Sequence, residues 1–269
     1  MFKFDTMRHL ILCSVMWLCG LMMAVGQNVP QVIPALQQWK SAKGKLVLPE
    51  TGKVIVSSDE EIELKGEAEI LGQYLKEMFG WEYSVVVGKK EKGAVYLTLG
   101  KPDKTLGEEG YRMNIQGEVT IEAPTSKGVF WGTRTLLQML HNQPEGLMKG
   151  RATDFPLYPN RGFMIDVGRK FFTMDYLRDY VKILSFYKMN ELQVHLNDNG
   201  FVEFFDNDWN KTYAAFRLES ERFPGLTAKD GSYTKEEFRD FQIMAARYGV
   251  NLIPEIEVPA QSLDFRHYN

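Results

Sequence analysis

Three segments in the second half of the chain read RGFMIDVGRKF at residues 161–171, YKMNELQVHLND at 187–198 and IPEIEVP at 253–259. Each starts as an apolar run and turns polar toward its carboxyl end. Amphipathic patterns with helical spacing lie between them, over residues 175–189 and 235–249. The order strand, helix, strand, helix, strand predicts parallel strands joined by right-handed crossovers. A doubly wound sheet and a (β/α) barrel both satisfy this order.

The two predicted helices carry signals at their ends. Thr234 and Glu237 have the spacing of a capping box, in which the hydroxyl and the carboxylate each satisfy a free backbone N–H. Gly249 ends this second helix. Asn190 follows the first helical pattern, and we expect it to close that helix in the left-handed conformation.

The polar carboxyl ends of the three predicted strands indicate a functional site. Function gathers at these ends in both architectures, whereas parallel strands that are buried on both faces normally read apolar. We therefore predict a lined pocket; the alternative is that these residues only cap helices and tie loops together. The candidates are Asp166, Arg169, His195, Asn197, Asp198, Asn199, Glu255 and Glu257.

The connection from Asp198 to Ser232 is long for a βα loop and too aromatic to be disordered. Exposed aromatic faces suit stacking on the apolar faces of sugar rings, but the same residues could instead form a local core. The aromatic residues of this connection include Phe201, Phe204, Phe205, Trp209, Tyr213 and Phe216.

The first half of the chain reads as a mixed α/β unit over residues 31 to about 155. Its patterns predict strands at 53–56, 83–87 and 94–99, helices at 67–79 and 129–140, and a hairpin that turns at Gln116-Gly117. Nothing in this half concentrates titratable groups, so we interpret it as structural.

The composition is that of an ordinary globular protein, with 44% hydrophobic and 25% charged residues. A net charge of −3 provides no basic field for nucleic acid, and it is compatible with a neutral ligand such as a sugar. Only His141, His195 and His267 lie beyond the first 26 residues, which argues against a histidine-rich metal site. No cofactor and no metal are expected.

The amino terminus reads as a secretory signal peptide over residues 1–26. Lys3 and Arg8 precede an apolar run of about 16 residues, short of the roughly 20 that span a bilayer. We expect secretion or export to the periplasm and no stable membrane insertion after cleavage, with an uncleaved or lipid anchor as the alternative. Cys13 and Cys19 both fall inside this segment, so disulfides and thiolate chemistry are not expected in the mature chain.

At the three strand segments the sequence resembles glycoside hydrolase family 20, and the segment from Gly110 to Leu140 looks like the accessory domain of that family. The resemblance covers roughly residues 30–269. It implies an accessory α+β domain at 27–157, followed at 158–269 by the start of a TIM (β/α)8 catalytic barrel. The implied activity is removal of terminal N-acetylhexosamine from glycans by substrate-assisted retention, in which the 2-acetamido oxygen replaces an enzyme nucleophile.

The resemblance also assigns substrate-binding roles. Arg169 matches the arginine that grips hydroxyls of the terminal sugar, and Asp198 matches an aspartate that supports the acid machinery. Glu257 stands where the family usually has aspartate, and Gln261 stands where it usually has histidine. His195 matches a family histidine that we interpret as structural.

The connection after the second strand also departs from the family pattern. Asn199-Gly200-Phe201 replaces the usual aspartate-glutamine-glycine-tryptophan run. The segment 213–220 looks more like the lacto-N-biosidase branch, which releases a disaccharide. The size of the released sugar is therefore open.

The catalytic aspartate-glutamate pair of the family belongs at the end of a fourth barrel strand, and we expect it beyond Asn269. About 110 residues follow Arg161, whereas a complete barrel needs about 250. The resemblance therefore predicts a truncated barrel of three βα units that is inactive and marginally soluble by itself. The pair Asp59-Glu60 lies in the accessory domain and is not a candidate.

Three other hypotheses remain besides the amino-terminal part of a family 20 hydrolase. The chain could be a non-catalytic glycan-binding module, or a purely structural fragment of a hydrolase. A different enzyme on a doubly wound sheet is disfavoured, because no glycine-rich phosphate loop follows any of the strands. The natural glycan, the linkage and the oligomeric state do not follow from the sequence.

Overall fold

The computed structural model describes residues 29–268. The proposed signal segment, with both cysteines, lies outside these residues. No helix in the described part of the chain is long and apolar enough to cross a membrane.

A seven-stranded mixed sheet organises the first half of the chain, in the spatial order β1-β7-β5-β6-β4-β2-β3. Helices α1 (Glu61–Phe79) and α2 (Ser126–Asn142) pack against each other and against this sheet. The strands are β1 (Gln38–Leu46), β2 (Thr51–Val56), β3 (Glu82–Val87), β4 (Val95–Leu99), β5 (Tyr111–Ile115), β6 (Val119–Ala123) and β7 (Leu147–Asp154).

The local patterns in this half predict most of its elements. The hairpin at Gln116-Gly117 joins β5 and β6 as an antiparallel pair, as expected. The prediction omitted β1 and β7, which pair with each other and place β1 at the edge of the sheet. Because β1 is almost entirely exposed, its sequence carries no alternation of apolar and polar residues.

A second sheet of three parallel strands contains the carboxyl ends singled out by the sequence. Its strands β8 (Gly162–Asp166), β9 (Glu191–His195) and β12 (Asn251–Glu255) lie in the order β12-β9-β8. Helices α3 (Met174–Phe186) and α4 (Lys235–Arg247) are the crossovers. The predicted strand-helix alternation is therefore present. Successive parallel strands are also neighbours in space, as they are in a barrel.

At the helix termini, one prediction is confirmed and one is wrong. Thr234 and Glu237 form the predicted capping box at the start of α4. Asn190 does not close α3 in the left-handed conformation: that conformation falls on Lys188, at φ 60°. Tertiary contacts explain the difference, because the Lys188 ammonium reaches Asp154 and the Asn190 side chain accepts a hydrogen bond from the Arg161 backbone.

The long connection after β9 folds into a small ordered excursion. Strands β10 (Asn197–Asn199) and β11 (Ala214–Phe216) form an antiparallel pair, with a 3-10 helix at Val202–Phe205 between them. The short helix α5 (Leu263–Tyr268) packs on this pair. Each of the two interpretations of the aromatic residues fits some of them. Phe216 is buried, as expected for a local core, whereas Phe201, Phe204 and Trp209 are exposed.

Candidate functional site

Register across the three-stranded sheet brings the polar strand ends side by side. His195 pairs with Asp166 on one side and with Glu255 on the other. Its Nε2 lies 2.8 Å from Asp198 Oδ2, and its Nδ1 lies 3.0 Å from Glu255 Oε2. Burial disfavours the charged imidazole, but the hydrogen bond to Asp198 and the nearby Glu255 outweigh it and raise the pKa of His195. The imidazolium form is thus stabilised between two carboxylates.

Arg169 follows β8 and is held by two carboxylates at the strand ends. Its Nη1 lies 2.8 Å from Asp166 Oδ2 and 2.6 Å from Asp198 Oδ2. Its Nε donates to the carbonyl oxygen of Asn199 at 3.1 Å. The side chain keeps 36% exposure, so the guanidinium is fixed in position and still open to a ligand.

Asp198 is the buried centre of this network. Besides Arg169 and His195, it accepts the backbone N–H of Asn199 at 2.7 Å. The amide of Gln261 completes the set, because the atoms around it are acceptors and its nitrogen therefore faces them. That nitrogen lies 2.9 and 3.0 Å from the two oxygens of Asp198 and 3.1 Å from Glu257 Oε2. The structure thus brings Arg169, Asp198, Glu257 and Gln261 together.

Asn197 joins the end of β9 to the segment after β12. It is fully buried. Its Oδ1 accepts the Glu257 backbone N–H at 2.9 Å, and its Nδ2 donates to the carbonyls of Glu257 and Gln261 at 3.0 and 3.1 Å. The sequence marked Asn197 only as one of several strand-end polar residues. Because its amide both accepts and donates hydrogen bonds, Asn197 positions the backbone of both Glu257 and Gln261.

The comparisons assign the chain to a family. Residues 29–155 match the family model described as glycosyl hydrolase family 20, domain 2, and residues 158–267 match the one described as glycosyl hydrolase family 20, catalytic domain. Together the two matches take in nearly all of the described residues. The chain belongs to glycoside hydrolase family 20.

This chain is similar to several named hexosaminidases and related enzymes over part of their length. A β-hexosaminidase of Akkermansia muciniphila is 32% identical over 162 residues, which are 59% of this chain and 33% of that protein. A lacto-N-biosidase of Bifidobacterium bifidum is 25% identical over 86% of this chain and 19% of its own length. The solved structure of a mutant Streptomyces plicatus β-hexosaminidase in complex with its product GlcNAc gives a TM-score of 0.73 at 25% identity, over 88% of this chain and 47% of that one. The chain spans a third or less of these two sequence relatives and about half of the solved protein.

Arg217 is a structural cation of this family 20 site that the sequence did not reveal. Its side chain is fully buried, and it donates to the backbone carbonyls of Val167 and Gly168 at 2.7 and 2.8 Å. It also pairs with Asp230 at 2.7 Å. Val167 and Gly168 immediately precede Arg169, so Arg217 holds the backbone from which Arg169 extends. Only its place in the aromatic connection could have drawn attention to it.

Asp264 is a second residue that sequence reasoning missed. It is a buried residue of α5, and burial raises the pKa of its carboxyl to about 6. The Asn197 amide and local backbone N–H groups favour the charged form in part. Within residues 29–268, however, neither carboxylate oxygen of Asp264 reaches hydrogen-bonding geometry with a partner. A buried carboxyl with so little compensation costs stability when it is ionised.

Among residues 29–268, two overlapping groups have ligand atoms close enough to hold a cation: Asp166, His195 and Asp198, and His195, Glu255 and Glu257. Both groups share His195, whose raised pKa favours its protonated form. The Arg169 guanidinium already contacts two of the carboxylates. Arg169 therefore already neutralises part of the charge of the first group.

A cavity of about 200 Å³ lies away from the strand ends, between the two sheets. Aromatic residues such as Trp131, Phe155 and Tyr158 line it, together with the buried Lys188 and Asp154. None of the polar strand-end residues lines this cavity. It therefore belongs to the contact between the two halves, and the chemistry gathers elsewhere.

Proposed function

We propose that the strand-end pocket holds the terminal N-acetylhexosamine of a glycan in a β-N-acetylhexosaminidase-type active site. The observation that carries this proposal is Arg169, whose guanidinium is braced by Asp166 and Asp198 while it keeps 36% exposure. A planar fork of N–H donors suits two neighbouring sugar hydroxyls. Because its position is fixed in advance, little entropy is lost when the sugar binds.

Asp198 has a supporting role in this proposal. Its side chain is only 1% exposed and contacts Arg169, His195 and Gln261, so it orients these groups and does not attack the substrate. Glu257 and Gln261 lie beside Asp198, and in this proposal they offer hydrogen bonds to the sugar. The similarity to β-hexosaminidases and the GlcNAc bound by the Streptomyces plicatus protein support this choice of ligand.

The reaction we propose is hydrolysis with substrate-assisted retention. The acetamido oxygen of the sugar attacks the anomeric carbon while a glutamic acid protonates the leaving oxygen, so the glycosidic bond breaks and a cyclic intermediate forms. Water, deprotonated by the same glutamate, then attacks the anomeric carbon and restores the acetamido group. We infer that the aspartate-glutamate pair for these steps is carried on a further barrel strand. The exposure of apolar side chains on the parallel strands supports this, because such strands are normally covered on both faces: Phe163 is 45% exposed, Met164 50% and Ile253 37%.

The domain division and the location of the protein belong to the same proposal. Residues 27–157 would form the accessory domain, and residues 158–269 the beginning of the catalytic barrel. Residues 1–26 would direct the protein to secretion or to the periplasm.

Ligand-observed NMR of the 269-residue chain with N-acetylglucosamine tests the binding role. We expect binding that Arg169→Gln weakens at least tenfold, while Arg222→Gln, at an exposed arginine that lies against Phe223, leaves it unchanged. We also expect no hydrolysis of an aryl N-acetylglucosaminide by this chain. Wild-type affinity in the Arg169→Gln variant would refute the role of Arg169 in sugar binding. Hydrolysis by this chain would refute the proposal that the aspartate-glutamate pair lies on a further strand.

A lacto-N-biosidase-type activity is the second candidate. The aromatic excursion after β9 and the similarity to the Bifidobacterium bifidum lacto-N-biosidase favour it. Aryl glycosides of the monosaccharide and of the disaccharide, offered to the full-length enzyme, distinguish the two activities. If the full-length protein bound glycans without hydrolysing them, it would be a glycan-binding protein and neither type of hydrolase.

A further inference from the structure

The cavity of about 200 Å³ between the two sheets is accessible from solvent. Two short segments that line it carry exposed residues. Pro34 and Ala35 lie before β1, and Leu157 and Tyr158 lie after β7. Leu157 is 67% exposed and Tyr158 is 73% exposed. The cavity therefore opens to the surface beside these side chains, and a small molecule can reach it.

The size and the walls of the cavity suit a single flat ring. Tyr111 and Trp131, which are both buried, line it together with Phe155. An apolar cavity of about 150 Å³ is large enough to bind benzene. A cavity of about 200 Å³ therefore has room for one six-membered ring with a small substituent. Aromatic walls favour an aromatic ligand, because rings attract each other in offset and edge-to-face arrangements.

The four charged residues that line the cavity pair with one another. The Lys188 ammonium lies 2.8 Å from Asp154, and the Arg161 guanidinium pairs with Glu109. Arg161 also donates to the backbone carbonyls of Lys188 and Tyr158 at 2.7 and 2.9 Å. A charged ligand would lose its hydration here without gaining a free counter-ion. The cavity therefore favours a neutral molecule.

Trp131 provides an unused hydrogen-bond donor in the cavity wall. Its side chain is 2% exposed, and no group among residues 29–268 accepts its indole N–H. The ring is held in place, because a Cβ at Gly249 would lie only 2.9 Å from its Cη2 atom. The guanidinium carbon of Arg161 lies 5.6 Å from the ring centroid. A buried donor without a partner costs free energy, which an acceptor on a ligand would recover.

We propose that this cavity binds a neutral molecule that consists of one aromatic ring and a small hydrogen-bond acceptor. The acceptor takes the N–H of Trp131, and the ring packs against Tyr111 and Phe155. The ligand also contacts Ala35, before β1, and Lys188, after α3, so it bridges the two halves of the chain. None of the polar strand-end residues lines the cavity, so this inference does not depend on the proposed sugar site.

Two probe ligands of the same shape test the inference with the 269-residue chain. Acetophenone carries a carbonyl oxygen, and isopropylbenzene carries a methyl group in its place. In ligand-observed NMR titrations we expect acetophenone to bind with a Kd below about 1 mM. It should bind roughly threefold to tenfold more tightly than isopropylbenzene, the range that one neutral hydrogen bond gives. At ten times its Kd, acetophenone should raise the melting temperature by about 3–6 °C.

Two variants locate the ligand. Ala35→Phe places a ring in the mouth of the cavity and should lower the affinity for both probes at least tenfold. Because Ala35 is exposed, this variant should fold and should bind N-acetylglucosamine as the wild type does. The matched control is Ala42→Phe, at an exposed position of β1, which should bind both probes normally. Trp131→Phe should abolish the preference for acetophenone, because it removes only the N–H and part of the ring.

Each alternative outcome overturns a defined part of the inference. The absence of saturable binding of both probes to the wild type would overturn the site itself. Wild-type affinity in Ala35→Phe would show that the probes bind outside this cavity. Equal affinity of the wild type for the two probes would overturn the role of the Trp131 N–H. The proposed function is unaffected by these results, since its own test is the binding of N-acetylglucosamine.

Discussion

Asp198 is fully buried, and its two oxygens are shared by a guanidinium, an imidazole and a primary amide. A buried carboxylate is stable only when such partners surround it. Gln261 supplies N–H groups to both Asp198 and Glu257 without adding a charge. Unlike the histidine that the resemblance places at this position, glutamine keeps its donors at every pH. Gln261 therefore adds no titratable group to the network, whereas a histidine at this position would add one.

Asp264 allows a pH-dependent test at the scale of one residue. Its folded-state pKa of about 6 lies above its ordinary value of 3.8, so the folded state favours the protonated form. The resulting cost is absent below the ordinary value, grows as the pH rises toward 6, and stays constant above that. We expect Asp264→Asn to increase the free energy of unfolding by about 2–3 kcal/mol above pH 6 and to have no effect below about pH 4.

Urea unfolding of both proteins from pH 3.5 to pH 8 measures this difference. Asp179→Asn, at an exposed position of α3, is the control and should show no such dependence. A stability difference that does not change with pH would show that Asp264 carries no shifted titration.

At the scale of elements, Arg217 holds the backbone that precedes Arg169 in place. It connects β11 to the backbone after β8 and to the turn at 230–231 through donated hydrogen bonds and the pair with Asp230. A guanidinium can satisfy these acceptors together because its donors spread in one plane. The elements that carry Arg169 and the aromatic excursion are therefore fixed to each other by one side chain.

Arg217→Met should destabilise the protein by about 3–5 kcal/mol, because it leaves the backbone carbonyls of Val167, Gly168 and Gly231 without their donor. We also expect it to weaken sugar binding, since the backbone that precedes Arg169 loses its anchor. Arg217→Lys should give an intermediate loss. Chemical unfolding and N-acetylglucosamine titration measure both effects, and a methionine variant as stable as the wild type would show that water or neighbouring groups replace the guanidinium.

At the scale of the whole molecule, the two sheets are joined by buried charges as well as by apolar contacts. The Lys188 ammonium lies 2.8 Å from Asp154 and 3.1 Å from the Tyr111 hydroxyl. Burial lowers the pKa of Lys188, and the nearby Asp154 offsets part of this effect. Lys188 follows α3, whereas Asp154 ends β7, so this ion pair connects the α3 crossover to the seven-stranded sheet.

Lys188→Met should cost about 3–5 kcal/mol of unfolding free energy, because Asp154 would stay buried without its cation. The matched control is Lys45→Met, which breaks an exposed pair with Glu145 and should cost less than about 1 kcal/mol. Urea unfolding of the two variants gives the comparison. If both substitutions cost the same, the buried pair would contribute nothing beyond a surface contact.

The sequence by itself determined the features that depend on neighbouring residues. The strand-helix alternation, the capping box at Thr234 and the Gln116-Gly117 hairpin follow from local spacing, since turns and caps are closed within a few residues. The polar ends of β8, β9 and β12 also indicated which polar side chains lie close together, because parallel strands place their carboxyl ends at one edge. The motifs at those ends indicated the family.

Only the tertiary structure decided which groups meet across long stretches of chain. Asn197 reaches Glu257 and Gln261, and Arg217 reaches Val167, through contacts that no local pattern encodes. The left-handed turn falls on Lys188 instead of Asn190 because a distant carboxylate, Asp154, binds the lysine. Burial is likewise a property of packing, so the raised pKa of Asp264 could not be predicted from residue types alone.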